Sequence, residues 1–111
     1  MRAWSHVIPA IFFFAASVQL DAATAKENYK THCTSCHGPD GKSQTRLGKK
    51  SGAKDLSDRP TLAKLSDEEL FKTIKLGRKN AKGEEKMEPF GDDISDAEIT
   101  ELVAYVRTLA K

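Results

Sequence analysis

The stretch Cys33-Thr34-Ser35-Cys36-His37 decides how this sequence is to be read. At the end of a helix, residues three apart share a face, so the two thiols line up on one side and the adjacent imidazole turns toward whatever they hold. Three ordinary uses of paired cysteines fit poorly. A zinc site would have to draw on His32, Cys33, Cys36 and His37, all within six residues, whereas structural zinc takes two separated ligand pairs. A thioredoxin-like dithiol belongs beside a βαβ pattern that this chain lacks. A plain disulfide would suit a secreted chain with two cysteines but leaves His37 without a role.

The reading that uses all three residues is C-x-x-C-H attachment of a c-type haem. Both thiols reach the two vinyl groups along one porphyrin edge, and a neutral imidazole nitrogen is a good ligand for the iron. Cys33, Cys36 and His37 are therefore the expected cofactor-binding residues, with one covalently attached haem c.

A second axial ligand is sought downstream. Once the first residues are removed, Met87 is the sole methionine, between two helical segments and followed by Pro89-Phe90. An isolated Met is more often a gap-filling core residue. With C-x-x-C-H upstream, a thioether opposite His37 becomes the expected sixth ligand, one that raises the potential relative to a second imidazole. His32 is the rival, but it adjoins Cys33 on the attachment helix and reads as an exposed side chain. Lys79, Lys82 and Lys86 flank Met87 and are candidates to replace it at high pH.

Around these residues the chain reads as helices joined by long loops. A first helix is expected from about Ala25 into Cys36, with Tyr29 and Cys33 four apart on one side. Gly38 to about Leu56 shows neither a helical stripe nor strand alternation and reads as a loop, uncommon at that length unless it wraps something. Asp58–Lys64 allows a helical turn. Ser66-Asp67-Glu68-Glu69 is a capping box, opening a helix that buries Leu70, Phe71 and Ile74 and stops at Gly77. Ser95-Asp96-Ala97-Glu98 repeats the device before Ile99, Leu102, Val103, Val106 and Leu109. Nothing reads as a set of strands, so an all-α domain wrapped around a cofactor is expected.

The 111 residues suffice for one small domain, whose limited core a bound prosthetic group would strengthen. Residues 1–25 have the layout of a secretory signal peptide: Arg2, an apolar run over Val7–Leu20, then small residues. That run of 14 is shorter than the roughly 20 residues a membrane span needs, and it contains Pro9, Ser17 and Gln19. Cleavage is expected within residues 22–25, leaving a 26–111 domain in the periplasm with no transmembrane span. The formal charge is +2, unchanged by loss of Arg2 and Asp21, and gives no reason to expect a nucleic-acid partner. Between Asp40 and Asp55 the charges are all positive: Lys42, Arg46, Lys49, Lys50 and Lys54. Such a run is usually a solvated face, but beside a redox centre it would steer an acidic protein partner.

These features together resemble the class I c-type cytochromes, in the group of small bacterial single-haem proteins. The resemblance rests on Tyr29 before the first Cys, Cys33 to Gly38, the Gly-containing loop, Met87-Glu88-Pro89-Phe90 and Leu102-Val103-Ala104-Tyr105-Val106-Arg107. It covers essentially all of the mature sequence. It implies that the first and last helices cross, with Tyr29 against the Leu102–Val106 face. Ala25 stands where the family often has a crossing glycine, and cleavage after Ala25 would remove that contact, which favours an earlier site. A loop carbonyl is implied as acceptor for the free N–H of His37, and Pro39 follows His37 too closely to be assigned that role.

The expected function is soluble single-electron transfer by haem c with His37/Met87 ligation. Two strong ligands leave no position open for a substrate, and no acid, base or nucleophile constellation is present, so catalysis and small-molecule turnover are not expected. The alternatives are a haem c subunit of a larger oxidase or dehydrogenase, and a haem enzyme or sensor with a labile Met87 bond.

Overall fold

A computed structural model describes residues 2–13 and 23–111. Residues 2–13 are exposed and without regular structure; the second half of the expected signal-peptide apolar run lies outside the described residues. Among the described residues no helix is long and apolar enough to cross a membrane.

The described residues form six helices and a two-stranded antiparallel sheet: α1 (Ala25–His32), α2 (Thr34–His37), α3 (Arg46–Ser51), α4 (Arg59–Ala63), α5 (Asp67–Leu76), β1 (Arg78–Lys79), β2 (Glu85–Met87) and α6 (Asp96–Leu109). Both expected capping boxes are present. The hydroxyls of Ser66 and Ser95 accept from the Glu69 and Glu98 amides, and the two glutamates accept in return from the serine amides. A third box, Thr24 with Glu27, starts α1. α5 ends at Gly77, whose φ of 76° suits a residue without Cβ.

α1 and α6 pack together. Tyr29 and Tyr105 lie with ring centroids 5.2 Å apart, and the Asn28 side-chain amide donates to Glu98 at 2.8 Å. Below them Tyr29, Leu102, Val103 and Val106 join Leu62, Leu70, Ile74, Phe90 and Ile99 in one buried cluster. Burying each of the larger apolar chains contributes about 1.5–3 kcal/mol. Arg107 fastens α6 to the end of α4, donating to the Leu62 carbonyl at 2.9 Å, the Leu65 carbonyl at 2.6 Å and Asp67.

Four expectations are corrected. The first helix does not run unbroken into Cys36: it ends at His32, and Cys33 is the joint from which α2 begins. The basic segment is not all loop, because Thr45 caps the Gly48 amide and Gly52, at φ 67° and ψ 37°, closes α3 in the left-handed conformation. The fold is helical but carries a strand pair in register Arg78↔Met87 and Lys79↔Glu85, with a bulge between. Five residues in all are too few to leave an alternating pattern in the sequence. Phe71, expected in the buried stripe of α5, is only half-buried, while Leu70 and Ile74 are buried.

Candidate haem site

A cavity of about 310 Å³ opens between α2, the α3–α4 connection, α5 and the Met87 segment. Leu56, Leu65, Leu70, Ile74, Phe90 and Val106 give it an apolar wall, and the same cavity is lined by Cys33, Cys36, His37 and Met87. The four residues singled out from sequence, spread over 55 positions, therefore face one space.

The attachment segment is anchored from several sides. The Tyr29 hydroxyl, on a ring with 2 % exposure, donates to the Gly38 carbonyl at 2.6 Å, fixing the end of α2 to α1. Thr45 donates to the Cys36 carbonyl at 2.7 Å while accepting from the Gly48 amide. A Cβ on Gly48 would stand 2.2 Å from the Cys36 carbonyl oxygen, so α3 lies against the attachment turn only because that residue has no side chain.

His37 donates from Nδ1 toward the Lys54 carbonyl at 3.1 Å, which leaves Nε2 as the nitrogen available to a metal. The loop carbonyl implied by the family resemblance is thus that of Lys54, seventeen residues downstream. Nothing in the sequence marks it, since any residue supplies a carbonyl. Burial holds the His37 imidazole below its usual pKa and the nearby Arg78 charge pushes the same way, against the Lys54 hydrogen bond, so the ring favours the neutral, metal-binding form.

Cys33 and Cys36 are not joined to each other in a disulfide. Burial pushes the Cys33 thiol up to about 12, the reverse of the depressed value of a reactive redox dithiol. The zinc alternative loses its ligand set among the described residues, because no group of three or more His, Cys, Asp or Glu side chains converges. His32 is not the simple exposed residue expected. It is half-buried, and its ring lies 5.3 Å from that of Phe90.

Met87, which lines the same cavity, ends β2 and is placed by two contacts around it. Phe90 donates its amide to the Ile74 carbonyl at 3.0 Å, and Gly77 sits so close that a Cβ there would be 2.5 Å from the Met87 carbonyl oxygen and 2.9 Å from the Pro89 nitrogen. Arg78, next along, donates to the Gly52 carbonyl at 3.3 Å, joining the hairpin to the end of α3.

The fold and the site define a small helical c-type cytochrome domain. The chain belongs to the family described as cytochrome c oxidase, cbb3-type, subunit III, whose model matches residues 20–106. Among solved structures it is similar to KustC0563 c-type cytochrome, with 34% identity and a TM-score of 0.69 over 80% of this chain and 100% of that one. A tyrosine-to-phenylalanine mutant of Kustc0563 matches with 32% identity and a TM-score of 0.66 over 78% and 99%. The comparison with curated proteins finds no match. Membership brings the cofactor, a covalently attached haem c with its iron, and with it electron transfer between redox partners. The residues fit that group: two thiols on one turn, an imidazole presenting Nε2, and a thioether lining the same largely apolar cavity.

Proposed function

We propose that this chain is a soluble carrier of single electrons, in which Cys33 and Cys36 hold haem c through thioethers and His37 and Met87 are its axial ligands. The observation that carries the reading is that His37 and Met87 line one cavity while Nδ1 of His37 is tied to the Lys54 carbonyl. Haem c supplies the Fe(III)/Fe(II) couple. The chain's own part is to fix the imidazole, to exclude water with Leu70, Ile74, Phe90 and Val106, and to keep the thioether in reach through Gly77. With both axial positions taken by strong ligands, the protein is a carrier and not an enzyme.

The basic residues of α3 and its flanks are the proposed docking face for an acidic redox partner. Arg46, Lys49 and Lys50 lie on the helix that packs against Cys36, so attraction by these charges brings a partner to the attachment edge. The domain is proposed to be exported to the periplasm by a signal peptide cleaved within residues 22–25. The Thr24 cap on α1 supports a site at the early end of that range, since cleavage after Ala25 removes the cap.

The family description favours a second reading, a haem c subunit held in a larger oxidase. A free carrier exchanges electrons more slowly as ionic strength rises, whereas a subunit co-purifies with its complex. Ligation is tested by the oxidised and reduced absorption spectra of protein made in a host that matures c-type cytochromes. Covalent haem with a weak long-wavelength methionine-to-iron band, lost in Met87→Ala, is the expected result. Covalent haem without that band points to another sixth ligand and to the enzyme or sensor reading. Absence of covalent haem sinks the proposal.

A further inference from the structure

Ser43 has no part in the site as described so far, yet it occupies a costly position within it. It is 8 % exposed and is the one non-glycine residue with positive φ, 59°, among the described residues. A left-handed backbone is disfavoured for an L-residue with a Cβ, and such strain persists where the surroundings over-determine it. The surroundings are His37. The Ser43 amide donates to the His37 carbonyl at 2.8 Å, and Ser43 Oγ lies 3.1 Å from His37 Nδ1, the same distance as the Lys54 carbonyl oxygen. The Ser43 hydroxyl in turn donates to that Lys54 carbonyl. Hydroxyl, carbonyl and ring nitrogen close a triangle.

With its own proton committed to Lys54, Ser43 Oγ can only accept from His37, and donating polarises it into a better acceptor. The Nδ1–H is thereby shared between two oxygens approaching from different directions, both at the long end of hydrogen-bond range, as a three-centre bond requires.

We propose that Ser43 is a positioning residue for the axial imidazole: its hydroxyl, forced into place by the left-handed turn, is a second acceptor that fixes the ring plane and biases the couple toward the oxidised state. The inference rests on the reading that His37 ligates the iron. An imidazole bound to Fe(III) gives up more electron density than one bound to Fe(II), so its N–H is the stronger donor, and acceptors on that N–H favour oxidised protein. Removal of the hydroxyl also relieves Lys54 of a competing donor, which acts the other way. A carbonyl has two lone pairs and serves both donors, so loss of the direct contact to Nδ1–H dominates.

The test is the midpoint potential of the holoprotein, by spectroelectrochemistry, in wild type, Ser43→Gly and Ser43→Ala. Both variants lose the hydroxyl, but glycine relaxes the backbone strain and alanine keeps it. A rise of similar size in both is expected, about threefold in the one-electron equilibrium, which is about 28 mV at 59 mV per tenfold. Unchanged potentials in variants that keep the wild-type low-spin spectrum overturn the proposal, as does a shift in Ser43→Ala alone, which would assign the effect to the backbone. Should either variant fail to mature, the reduced wild-type protein decides the matter by proton NMR. A slowly exchanging Ser43 hydroxyl proton with a cross-peak to His37 Nδ1–H is expected, and its absence overturns the triangle. A wild-type spectrum without histidine ligation overturns the ligation reading itself, which separates the two failures.

Discussion

On the ligation proposed above, Gly77→Ala is expected to uncouple Met87 from the haem without touching any of the proposed haem-binding residues. Gly77 adopts φ 76° and ψ −174°, a region open essentially to glycine alone, where any other residue costs about 1–3 kcal/mol. A Cβ there also meets the Met87 carbonyl oxygen at 2.5 Å, and ordinary contact begins at 3.4 Å, so the Met87 backbone must withdraw by 3.4 − 2.5 = 0.9 Å. That neighbour is backbone held in a strand pair and cannot swing aside, and overpacking of this kind costs typically 1–3 kcal/mol more. The variant should therefore lose about 2–6 kcal/mol of stability, together with most of its methionine-to-iron band. Gly52→Ala is the control. It shares the positive φ, 67°, but a Cβ there meets nothing within 4 Å, so it should lose about 1–2 kcal/mol and keep the band. Thermal melts and the oxidised spectrum read both quantities. A Gly77→Ala protein with an unchanged band and the same melting temperature as Gly52→Ala would refute the argument that Gly77 seats the methionine segment.

Three further outcomes follow from other contacts. Gly48→Ala places a Cβ 2.2 Å from the Cys36 carbonyl oxygen and should push α3 off the attachment turn, costing about 1–3 kcal/mol and lowering the yield of covalently loaded protein measured by mass spectrometry. Lys49→Glu/Lys50→Glu should slow electron exchange with an acidic partner about tenfold at low ionic strength and reverse the sign of its salt dependence in stopped-flow traces. Glu98 has its carboxyl held below the usual value of 4.5, first by the Asn28 side-chain amide and then by Ser95. A folded-state value depressed in this way contributes stability above the unfolded value that disappears as pH falls through the folded one. The melting temperature should therefore drop below about pH 4.5, and Asn28→Ala should flatten that acid slope.

The fold was legible where a few residues carry a local physical code. Ser66 with Glu69 and Ser95 with Glu98 each mark a helix start through bonds within four residues, and Ile99, Leu102, Val103 and Val106 mark its buried face by spacing alone. α3 was missed because Arg-Leu-Gly-Lys-Lys-Ser has no apolar stripe and is held by Thr45, by Gly52 and by contact with Cys36. The strand pair was missed because β1 and β2 together hold five residues, paired across a turn. His32 read as exposed because its contact with Phe90 spans 58 positions.

By itself the sequence determined the chemistry of the protein: two thiols and an imidazole at fixed spacing, one methionine downstream, and helices whose caps and stripes are local. That information sits in side-chain identity over a few consecutive residues, where geometry follows from the helical turn. Only the tertiary structure decided how the imidazole is held, because the Lys54 carbonyl, the strained Ser43 and the missing side chains of Gly48 and Gly77 act across loops. A backbone carbonyl is the same group at every position and every glycine lacks the same side chain, so their roles are set by where the chain brings them and not by what they are.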